Sequence, residues 1–203
     1  MVSRGDFQSL EAAQKARTAK NAVRNEIRAR LRCLVGAERT VGSAKARRLL
    51  TDQPVWSQAQ SVLFYAPLPE EVDVWPLLPE ALAAGKLVAL PRFVAETKGY
   101  EAWQIRHPEA DVRVGRYGIR EPADGCAHSV IKRLDLILVP GVAFDLQGRR
   151  LGRGKGFYDR LLAGLCGTSC GVAFDEQIVR ELVVEPHDAV VNCILTPTRW
   201  IER

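Results

Sequence analysis

The chain has 203 residues, of which 47% are hydrophobic and 26% are charged, a balance typical of one globular domain rather than of a disordered segment. Its formal net charge of +5 favours anionic partners, but this charge fits polyanionic small molecules as well as nucleic acid. No apolar run approaches the roughly 20 residues that a helix needs to cross a bilayer, so we expect no membrane partner.

The cysteines argue against both a disulfide framework and a zinc site, because they are odd in number and include no C-x-x-C pair. No signal-like apolar segment begins the chain, and Asp6 and Glu11 weaken a transit-peptide interpretation. We therefore expect a cytoplasmic protein whose cysteines are reduced. We also expect the protein to be a monomer. Residues 1–203 should form one domain, with 1–14 as a loose N-terminus.

Hydrophobic periodicity predicts the elements of the first half of the chain. Apolar residues at spacings of three and four indicate a long first helix, and short apolar runs stopped by proline indicate buried strands. In chain order, the predicted elements are helices over 10–34 and 41–51, a strand over 61–67, a helix over 81–84, and strands over 86–91 and 101–106.

The second half contains the most continuous apolar run, LDLILVPG at 134–141, as expected for a strand that is covered on both faces. This strand should lead through the AFD at 143–145 directly into a glycine-rich loop. The remaining predicted elements are a helix over 157–165, a strand over 170–174, a helix over 175–182 and a strand over 189–196. Strands that alternate with helices predict an α/β domain with a mainly parallel sheet.

The segment between Gly148 and Arg160 reads GRRLGRGKGFYDR and has the composition of a phosphate site. Glycines lack the Cβ that keeps backbone N–H groups away from a ligand, so alternating glycines can form an anion-binding concavity. The glycines are Gly152, Gly154 and Gly156, and the cations beside them are Arg150, Arg153 and Lys155. A following helix would direct its N-terminal N–H groups at the same anion.

Neither standard nucleotide fingerprint is present in this segment. Lys155 is followed by glycine rather than Ser or Thr, and G-x-G-x-G does not complete the dinucleotide pattern. A basic, glycine-rich surface turn is therefore the alternative. Asp159 lies in the first turn of the predicted helix, where it could hold Mg²⁺ beside phosphates.

Further candidate residues precede this segment. Lys20 and Arg24 lie four apart on one helical face, where both could reach a phosphate chain, although the pattern alone favours a solvated basic face. Glu71 and Asp73 follow a predicted strand, so they should lie at the carboxyl edge of the sheet, where α/β proteins bind their ligands.

Several ordered motifs resemble the 5-formyltetrahydrofolate cyclo-ligase family, also called methenyltetrahydrofolate synthetases. They are LILVPGVAFDLQG and RLGRGKGFYDR in the core of the likeness, GVAFDEQ and EPHD after it, and Lys20, Arg24, PEEVD, PR and YGIREP before it. The resemblance runs from Lys20 to about Pro197. It implies a three-layer α/β/α domain with the cyclo-ligase fold, which is like that of coenzyme A transferases.

The resemblance also implies an enzyme that uses ATP and Mg²⁺ to convert 5-formyltetrahydrofolate, with or without a polyglutamate tail, into 5,10-methenyltetrahydrofolate. It implies Lys155 and Arg153 as catalytic residues and Asp159 and Asp188 as metal ligands. The implied ATP contacts are Lys20, Arg24, Arg150, Leu151, Gly152, Arg153, Gly154, Lys155, Gly156, Phe157 and Tyr158. The implied substrate contacts are Arg24, Glu71, Tyr117, Arg153, Gly154, Lys155, Gly156 and Phe157, with Arg92 as a less direct candidate.

Two alternatives remain at this level. A basic nucleic-acid-binding module would use the arginine-rich first helix and the RGKG loop, but single-strand binders usually display stacking aromatics, and aromatic residues are only 7% of this chain. A sugar-phosphate or acyl-CoA enzyme would also use an anion-binding glycine loop. It would not explain the paired acids together with the N-terminal Lys20 and Arg24.

Overall fold

The computed structural model describes residues 4–115, 118–124, 126, 131–186 and 188–203, with side chains from Glu11 onward except that of Ala12. Within these residues, seven strands form a central sheet. These strands are β1 (Ser61–Leu63), β2 (Leu87–Val94), β3 (Gly99–Ile105), β6 (Arg133–Pro140), β9 (Cys166–Val172), β11 (Cys193–Leu195) and β12 (Trp200–Glu202). The described helices are α1 (Arg4–Cys33), α2 (Gly36–Thr51), α3 (Pro54–Gln58), α4 (Leu77–Ala83) and α5 (Phe157–Ala163).

The central sheet has the order β12-β11-β9-β6-β1-β2-β3. The strands from β11 to β2 are mutually parallel, whereas the edge strands β12 and β3 pair antiparallel with their neighbours. The chain moves from β1 to β2 on one side of the sheet and from β6 through β9 to β11 on the other. The strand order therefore reverses between β1 and β6, and such a switch point forms a crevice outside the carboxyl ends of the strands.

Alternate residues of the buried strands face two different cores. Leu136 and Leu138 of β6 pack in the core that contains buried residues of α1 to α4, whereas Ile137 and Val139 face the core that contains Leu161 of α5. Successive side chains of a strand point to opposite faces of the sheet. A strand that is covered on both faces therefore has a continuous run of apolar residues in its sequence. The expected three-layer α/β domain with a mainly parallel sheet is confirmed.

The predicted elements mostly differ from the observed ones in their bounds. The first helix begins at Arg4 rather than at residue 10, the second begins at Gly36 rather than at 41, and β1 is shorter than the predicted strand over 61–67. The strand over 101–106 is confirmed as β3, although its alternation in the sequence is brief. No described helix is both long and apolar enough to cross a bilayer.

The helix predicted over 175–182 is wrong. A 3₁₀ turn at Asp175–Gln177 is followed by the short strand β10 (Ile178–Val179), which pairs parallel with β7 (Ala143–Asp145). Gln177 is buried, and its side-chain amide donates to the carbonyl oxygens of Gly141 and Val142. These long-range hydrogen bonds hold the segment extended against the end of β6, which overrides its helical periodicity.

A β-hairpin separates β6 from the glycine-rich loop, so the predicted direct path from strand to loop is also wrong. The hairpin consists of β7 and β8 (Arg150–Leu151), which pair antiparallel. Asp145 is fully buried in this hairpin, where it accepts hydrogen bonds from the backbone N–H groups of Gln147, Arg149 and Leu182 and pairs with the Arg149 side chain. The hairpin thus fixes the start of the glycine-rich loop.

Phe144 packs closely over two glycines, and this contact generates a stability prediction. A Cβ built on Gly171 would lie 2.5 Å from the Phe144 ring, whereas a Cβ on Gly36 meets nothing within 4 Å. We expect Gly171→Ala to lower the free energy of unfolding by about 1–3 kcal/mol through overpacking. The matched control, Gly36→Ala, should lower the free energy of unfolding by no more than about 0.5 kcal/mol or should raise it. Urea denaturation of both variants measures this, and equal effects would contradict the prediction.

Candidate active site

A cavity of about 390 Å³ lies at the carboxyl ends of the central strands. It is lined by Ala66, Leu68, Glu71, Pro91, Tyr100, Ile119, Arg120, Pro140, Gly141, Arg150, Gly152, Arg153, Lys155, Gly156, Phe157, Tyr158 and Asp159. Ala66 and Leu68 follow β1, and Pro140 ends β6, so the cavity occupies the crevice where the strand order reverses. This is the position at which α/β sheets bind ligands.

The glycine-rich loop, residues 152–156, forms one wall of the cavity. Gly154 has φ +95° and Gly156 has φ +63°, values in the left-handed region that favours glycine. Gly156 is also the N-cap of α5. Because α5 has only seven residues, the charges of the loop side chains contribute more to anion binding here than the helix dipole does.

Arg150 is the buried cation of the site, with a side chain that is only 3% exposed. Its Nη2 donates to Asp159 Oδ1 at 2.6 Å, while Nη1 donates to the carbonyl oxygen of Pro140 at 3.4 Å. Its Nε has no hydrogen-bond partner among the described residues. Arg150 therefore joins the end of β6 to the start of α5 beneath the cavity.

Lys20 is buried rather than solvated, so the interpretation that its sequence pattern alone favours is wrong. Its Nζ donates to Glu185 Oε2 and to Asp188 Oδ2, both at 2.6 Å. Burial by itself would lower the pKa of Lys20, but the hydrogen bonds to Asp188 and Glu185 outweigh this effect and raise that pKa. The first helix is thereby attached to the loop that contains EPHD.

Arg24, one turn beyond Lys20 on α1, contacts the glycine-rich loop. Its Nε donates to the carbonyl oxygen of Gly152 at 2.9 Å, and a Cβ built on Gly154 would lie 3.5 Å from its guanidinium carbon. Lys20 and Arg24 therefore lie on one face of α1, with Lys20 on the acids at 185 and 188 and Arg24 on the glycine-rich loop, and their contact with a phosphate chain stays a prediction. Neither residue lines the cavity itself.

Asp159 and Asp188 are brought together by the backbone. The N–H of Ala189, the residue after Asp188, donates to Asp159 Oδ1 at 3.3 Å. The described residues contain no cluster of three or more metal-ligating side chains. Asp159 and the backbone next to Asp188 nevertheless meet beside a cationic loop, and these two acids fit Mg²⁺, because this ion typically takes one or two carboxylates and completes its shell with phosphate oxygens and water.

Arg153 faces two acids across the cavity. Its Nη2 donates to Glu70 Oε1 at 2.9 Å and to Glu71 Oε1 at 3.2 Å. Burial by itself would lower the pKa of Arg153, but these ion pairs raise it. Glu71 is largely buried, and burial raises the pKa of its carboxyl group even though the Leu68 N–H and Arg153 favour the charged form. The expected position of Glu71 at the carboxyl edge of the sheet is confirmed.

Aromatic rings form another part of the cavity wall. Phe157 makes edge-to-face contacts with Phe93 and Tyr100, at centroid distances of 5.7 and 5.4 Å, and Tyr100 lies 6.4 Å from Tyr158. Such pairs stabilise beyond their buried area. The cavity therefore combines a cationic surface with an aromatic one, as a ligand with phosphates and flat rings requires.

The structure does not place every candidate side chain at the cavity. Tyr117 is outside the described residues, so its role stays a prediction. Leu151 packs its side chain into the core, which leaves only its backbone for a nucleotide. Arg92 is ion-paired with Asp124 and stacked on Trp103 at 4.4 Å, away from the cavity lining.

Two cavity residues have no local sequence pattern that identifies them. Tyr100 is the second residue of β3, the antiparallel edge strand. Arg120 lies in β5 (Arg120–Pro122), which pairs with β4 (Val112–Val114) in a small separate sheet. Each reaches the cavity only through tertiary packing. Arg120 does belong to the YGIREP motif of the resemblance, and this is the one indication of it in the sequence.

Together the fold and the site define an α/β protein with a cationic and aromatic ligand cleft at the switch point of its sheet. A model of the 5-formyltetrahydrofolate cyclo-ligase family matches residues 16–197 of the chain. Because this match spans most of the chain, the protein belongs to the 5-formyltetrahydrofolate cyclo-ligase family, and the resemblance read from the sequence is confirmed.

Individual relatives agree with this assignment. The chain is 34% identical over 178 residues to the 5-formyltetrahydrofolate cyclo-ligase of Escherichia coli K12, with 85% of this chain and 97% of the relative covered. It is 27% identical over 195 residues to that of Mus musculus, with 91% and 96% covered. The NMR structure of Aquifex aeolicus 5,10-methenyltetrahydrofolate synthetase matches with a TM-score of 0.79 at 34% identity, covering 90% of this chain and 92% of that one.

The raised pKa of Glu71 predicts a pH-dependent effect on stability. At low pH the carboxyl group is protonated in both the folded and unfolded states, and its burial penalty appears as the pH rises through the unfolded pKa. We therefore expect Glu71→Gln to raise the free energy of unfolding at pH 7 and to change it little at pH 4. Urea denaturation at both pH values tests this.

The control for this measurement is Glu80→Gln, which neutralises an exposed acid of α4 and should have no effect at either pH. A loss of stability in Glu71→Gln at pH 7 would show that the ion pair with Arg153 outweighs the burial of the carboxylate.

Proposed function

We propose that this protein converts 5-formyltetrahydrofolate into 5,10-methenyltetrahydrofolate in an ATP- and Mg²⁺-dependent reaction that releases ADP and phosphate. The single observation that carries the proposal is one cavity that joins the cationic glycine-rich loop to an aromatic wall, in a chain of the cyclo-ligase family. The relatives are named for this reaction or its product. We further propose that the protein acts as a cytoplasmic monomer without nucleic-acid or membrane partners.

The chemistry explains why a nucleotide is needed. Closing the five-membered ring requires the N5-formyl oxygen to depart, and an amide-type oxygen is a very poor leaving group. In the proposed reaction the γ-phosphoryl group of ATP moves to this oxygen and releases ADP. N10 then attacks the activated formyl carbon, the N10 proton is lost, and the C–O bond breaks as inorganic phosphate departs.

Such a reaction needs positioned charges rather than a protein nucleophile, because phosphoryl transfer depends mainly on alignment and neutralisation of the phosphate oxygens. Lys155 is exposed in the glycine-rich loop and lines the cavity, so it is our choice for the group that contacts the transferred phosphoryl. Arg153 acts beside it. Arg150 adds a buried positive charge beneath the nucleotide, and the backbone of Leu151 and of the glycine-rich loop from Gly152 onward approaches the nucleotide closely.

Lys20 and Arg24 supply further nucleotide contacts from α1. In the structure, Arg24 already donates to the loop at Gly152, while Lys20 is held by Glu185 and Asp188. Asp159 and Asp188 are the residues that would hold Mg²⁺, which supplies charge neutralisation of the phosphate oxygens when bound. Asp159 also orients Arg150, so one carboxylate organises both the cation site and the loop.

The folate occupies the aromatic side of the cavity in this proposal. Glu71 presents a buried carboxyl group for the polar edge of the pterin, and Tyr117 and Phe157 provide flat apolar surface. Phe157 stands where the family often has tyrosine. Its edge-to-face contacts with Phe93 and Tyr100 do not involve a hydroxyl group, so packing against the pterin is retained.

The nucleic-acid alternative has less support from the structure. Nucleic-acid binding without sequence preference uses aromatic platforms on which successive bases stack along a charged groove. Here the aromatic residues that accompany the basic loop pack edge-to-face on one another at one side of a single cleft. This arrangement suits one small flat ligand better than a polymer.

The reaction is tested by incubating the purified protein with 5-formyltetrahydrofolate with and without Mg·ATP. The product absorbs in the near ultraviolet, and we expect the absorbance to rise only when ATP and Mg²⁺ are both present. ADP and phosphate should form in equal amounts with the product. Failure to form product under these conditions would overturn the proposed function.

Lys155→Ala should lower turnover by at least about 100-fold and leave the fold intact, since this is the scale of one lost donor that stabilises developing charge. Lys45→Ala is the matched control, because Lys45 is an exposed lysine of α2 outside the cavity, and it should retain turnover within about twofold. Steady-state rates and circular dichroism measure both variants. Near-normal turnover of Lys155→Ala would remove this residue from catalysis.

Asp159→Asn should raise the Mg²⁺ concentration for half-maximal activity by about tenfold or more, because a neutral amide is a poor ligand for this hard cation. The amide oxygen can still accept the hydrogen bond from Arg150, but the buried ion pair is lost, so urea denaturation of the variant is measured beside the metal titration to separate lower stability from weaker Mg²⁺ binding. The exposed Glu80→Gln variant serves as the control for loss of one negative charge. An unchanged metal titration would argue against a ligand role for Asp159.

A further inference from the structure

Arg120 and Trp75 form a cationic platform at the cavity. The guanidinium carbon of Arg120 lies 3.9 Å from the centroid of the Trp75 ring, a distance at which the two planar groups are in contact. Arg120 lines the cavity and is exposed, whereas Trp75 is partly buried against the core. The ring therefore supports the arginine from below.

The other arginines that line the cavity already have carboxylate partners. Arg150 pairs with Asp159, and Arg153 pairs with Glu70 and Glu71. The side chain of Arg120, by contrast, makes no ion pair or hydrogen bond within the described parts of the chain. Asp73, the acid nearest to Trp75 in sequence, lies 4.0 Å from Arg47. An exposed guanidinium held in place without an anion has its N–H edge available for a ligand.

The platform is on a different element from the phosphate-binding loop. Arg120 lies in β5 of the small β4–β5 sheet, whereas Arg150, Arg153 and Lys155 all belong to the segment from β8 to the start of α5. The same cavity has apolar lining residues, among them Leu68, Pro91 and Ile119. A substrate that meets the phosphates of a nucleotide at the loop, has an apolar middle and carries an anionic group at its far end would use both cationic regions.

We propose that Arg120, supported by Trp75, binds a carboxylate of the glutamate end of the folate and so selects substrates that carry this acidic group. This inference rests on the proposed function, because it assigns one end of the same substrate. A guanidinium donates two parallel hydrogen bonds to a carboxylate, and stacking on an aromatic ring leaves this edge open. An ammonium group would supply only a point charge.

The test compares two substrates in the wild-type protein and in Arg120→Gln. One is 5-formyltetrahydrofolate, and the other is 5-formyltetrahydropteroate, which has the same reacting groups but lacks the glutamate. We expect Arg120→Gln to raise KM for the folate by about 10- to 100-fold, the range for one charge-assisted bidentate contact, with little change in kcat. KM for the pteroate should change by less than about threefold.

Two further variants sharpen this comparison. Arg120→Lys should recover only part of the lost affinity, since it keeps the charge but not the planar pair of donors. Arg106→Gln removes an exposed arginine that does not line the cavity and should respond like wild type with both substrates. This control separates a local contact from a general effect of net charge.

The outcomes are distinguishable from a failure of the proposed function, which would appear as no methenyl product from either substrate in the wild-type protein. Equal increases in KM for both substrates would place Arg120 against the pterin and overturn the inference. An unchanged KM for the folate would overturn it as well. A loss confined to the glutamate-bearing substrate supports it.

Discussion

The ion pairs of Lys20 with Glu185 and Asp188 connect parts of the chain on which the rest of the site depends. Lys20 lies near the start of the sequence and its two partners near the end, yet both Nζ–oxygen distances are 2.6 Å. The next turn of the same helix places Arg24 on the carbonyl oxygen of Gly152. One helix therefore fixes the position of the glycine-rich loop relative to the acidic loop, which is the loop at residues 185–188. Without this helix, no side chain of α1 would join the two loops.

The same interactions explain how so many cations are tolerated beside one cavity. A buried charge without a partner is strongly destabilising, and each buried cation here has a carboxylate within hydrogen-bonding distance. Arg150 has Asp159, and Lys20 has Asp188 and Glu185. The exposed Arg153 is also paired, with Glu71 and Glu70. A nucleotide would compete for cations that are already held in place, so the site is organised before a ligand arrives, and positions of this kind favour phosphoryl transfer.

Local sequence patterns predicted two kinds of element: strands that are buried on both faces, and loops whose backbone conformation requires particular residues. The run at 134–141 identified β6 because both of its faces are covered, and the alternating glycines identified the loop because Gly154 and Gly156 adopt backbone conformations that other residues rarely do. The helix predicted over 175–182 failed because Gln177 forms hydrogen bonds to Gly141 and Val142, which are more than thirty residues away. Tyr100 and Arg120 were missed for the same physical reason, since only tertiary packing brings them to the cavity.

The cavity itself is lined by residues between Ala66 and Asp159, but Lys20 and the loop at 185–188 hold its surroundings together, so this support is completed late in biosynthesis. β11, which pairs with β9, and the acidic loop at 185–188 leave the ribosome only when most of the chain has been made. Until then Lys20 has no partner and the glycine-rich loop lacks part of its support. A nascent or prematurely terminated chain would therefore have the glycine-rich sequence without the contacts that join it, through α1, to Glu185 and Asp188.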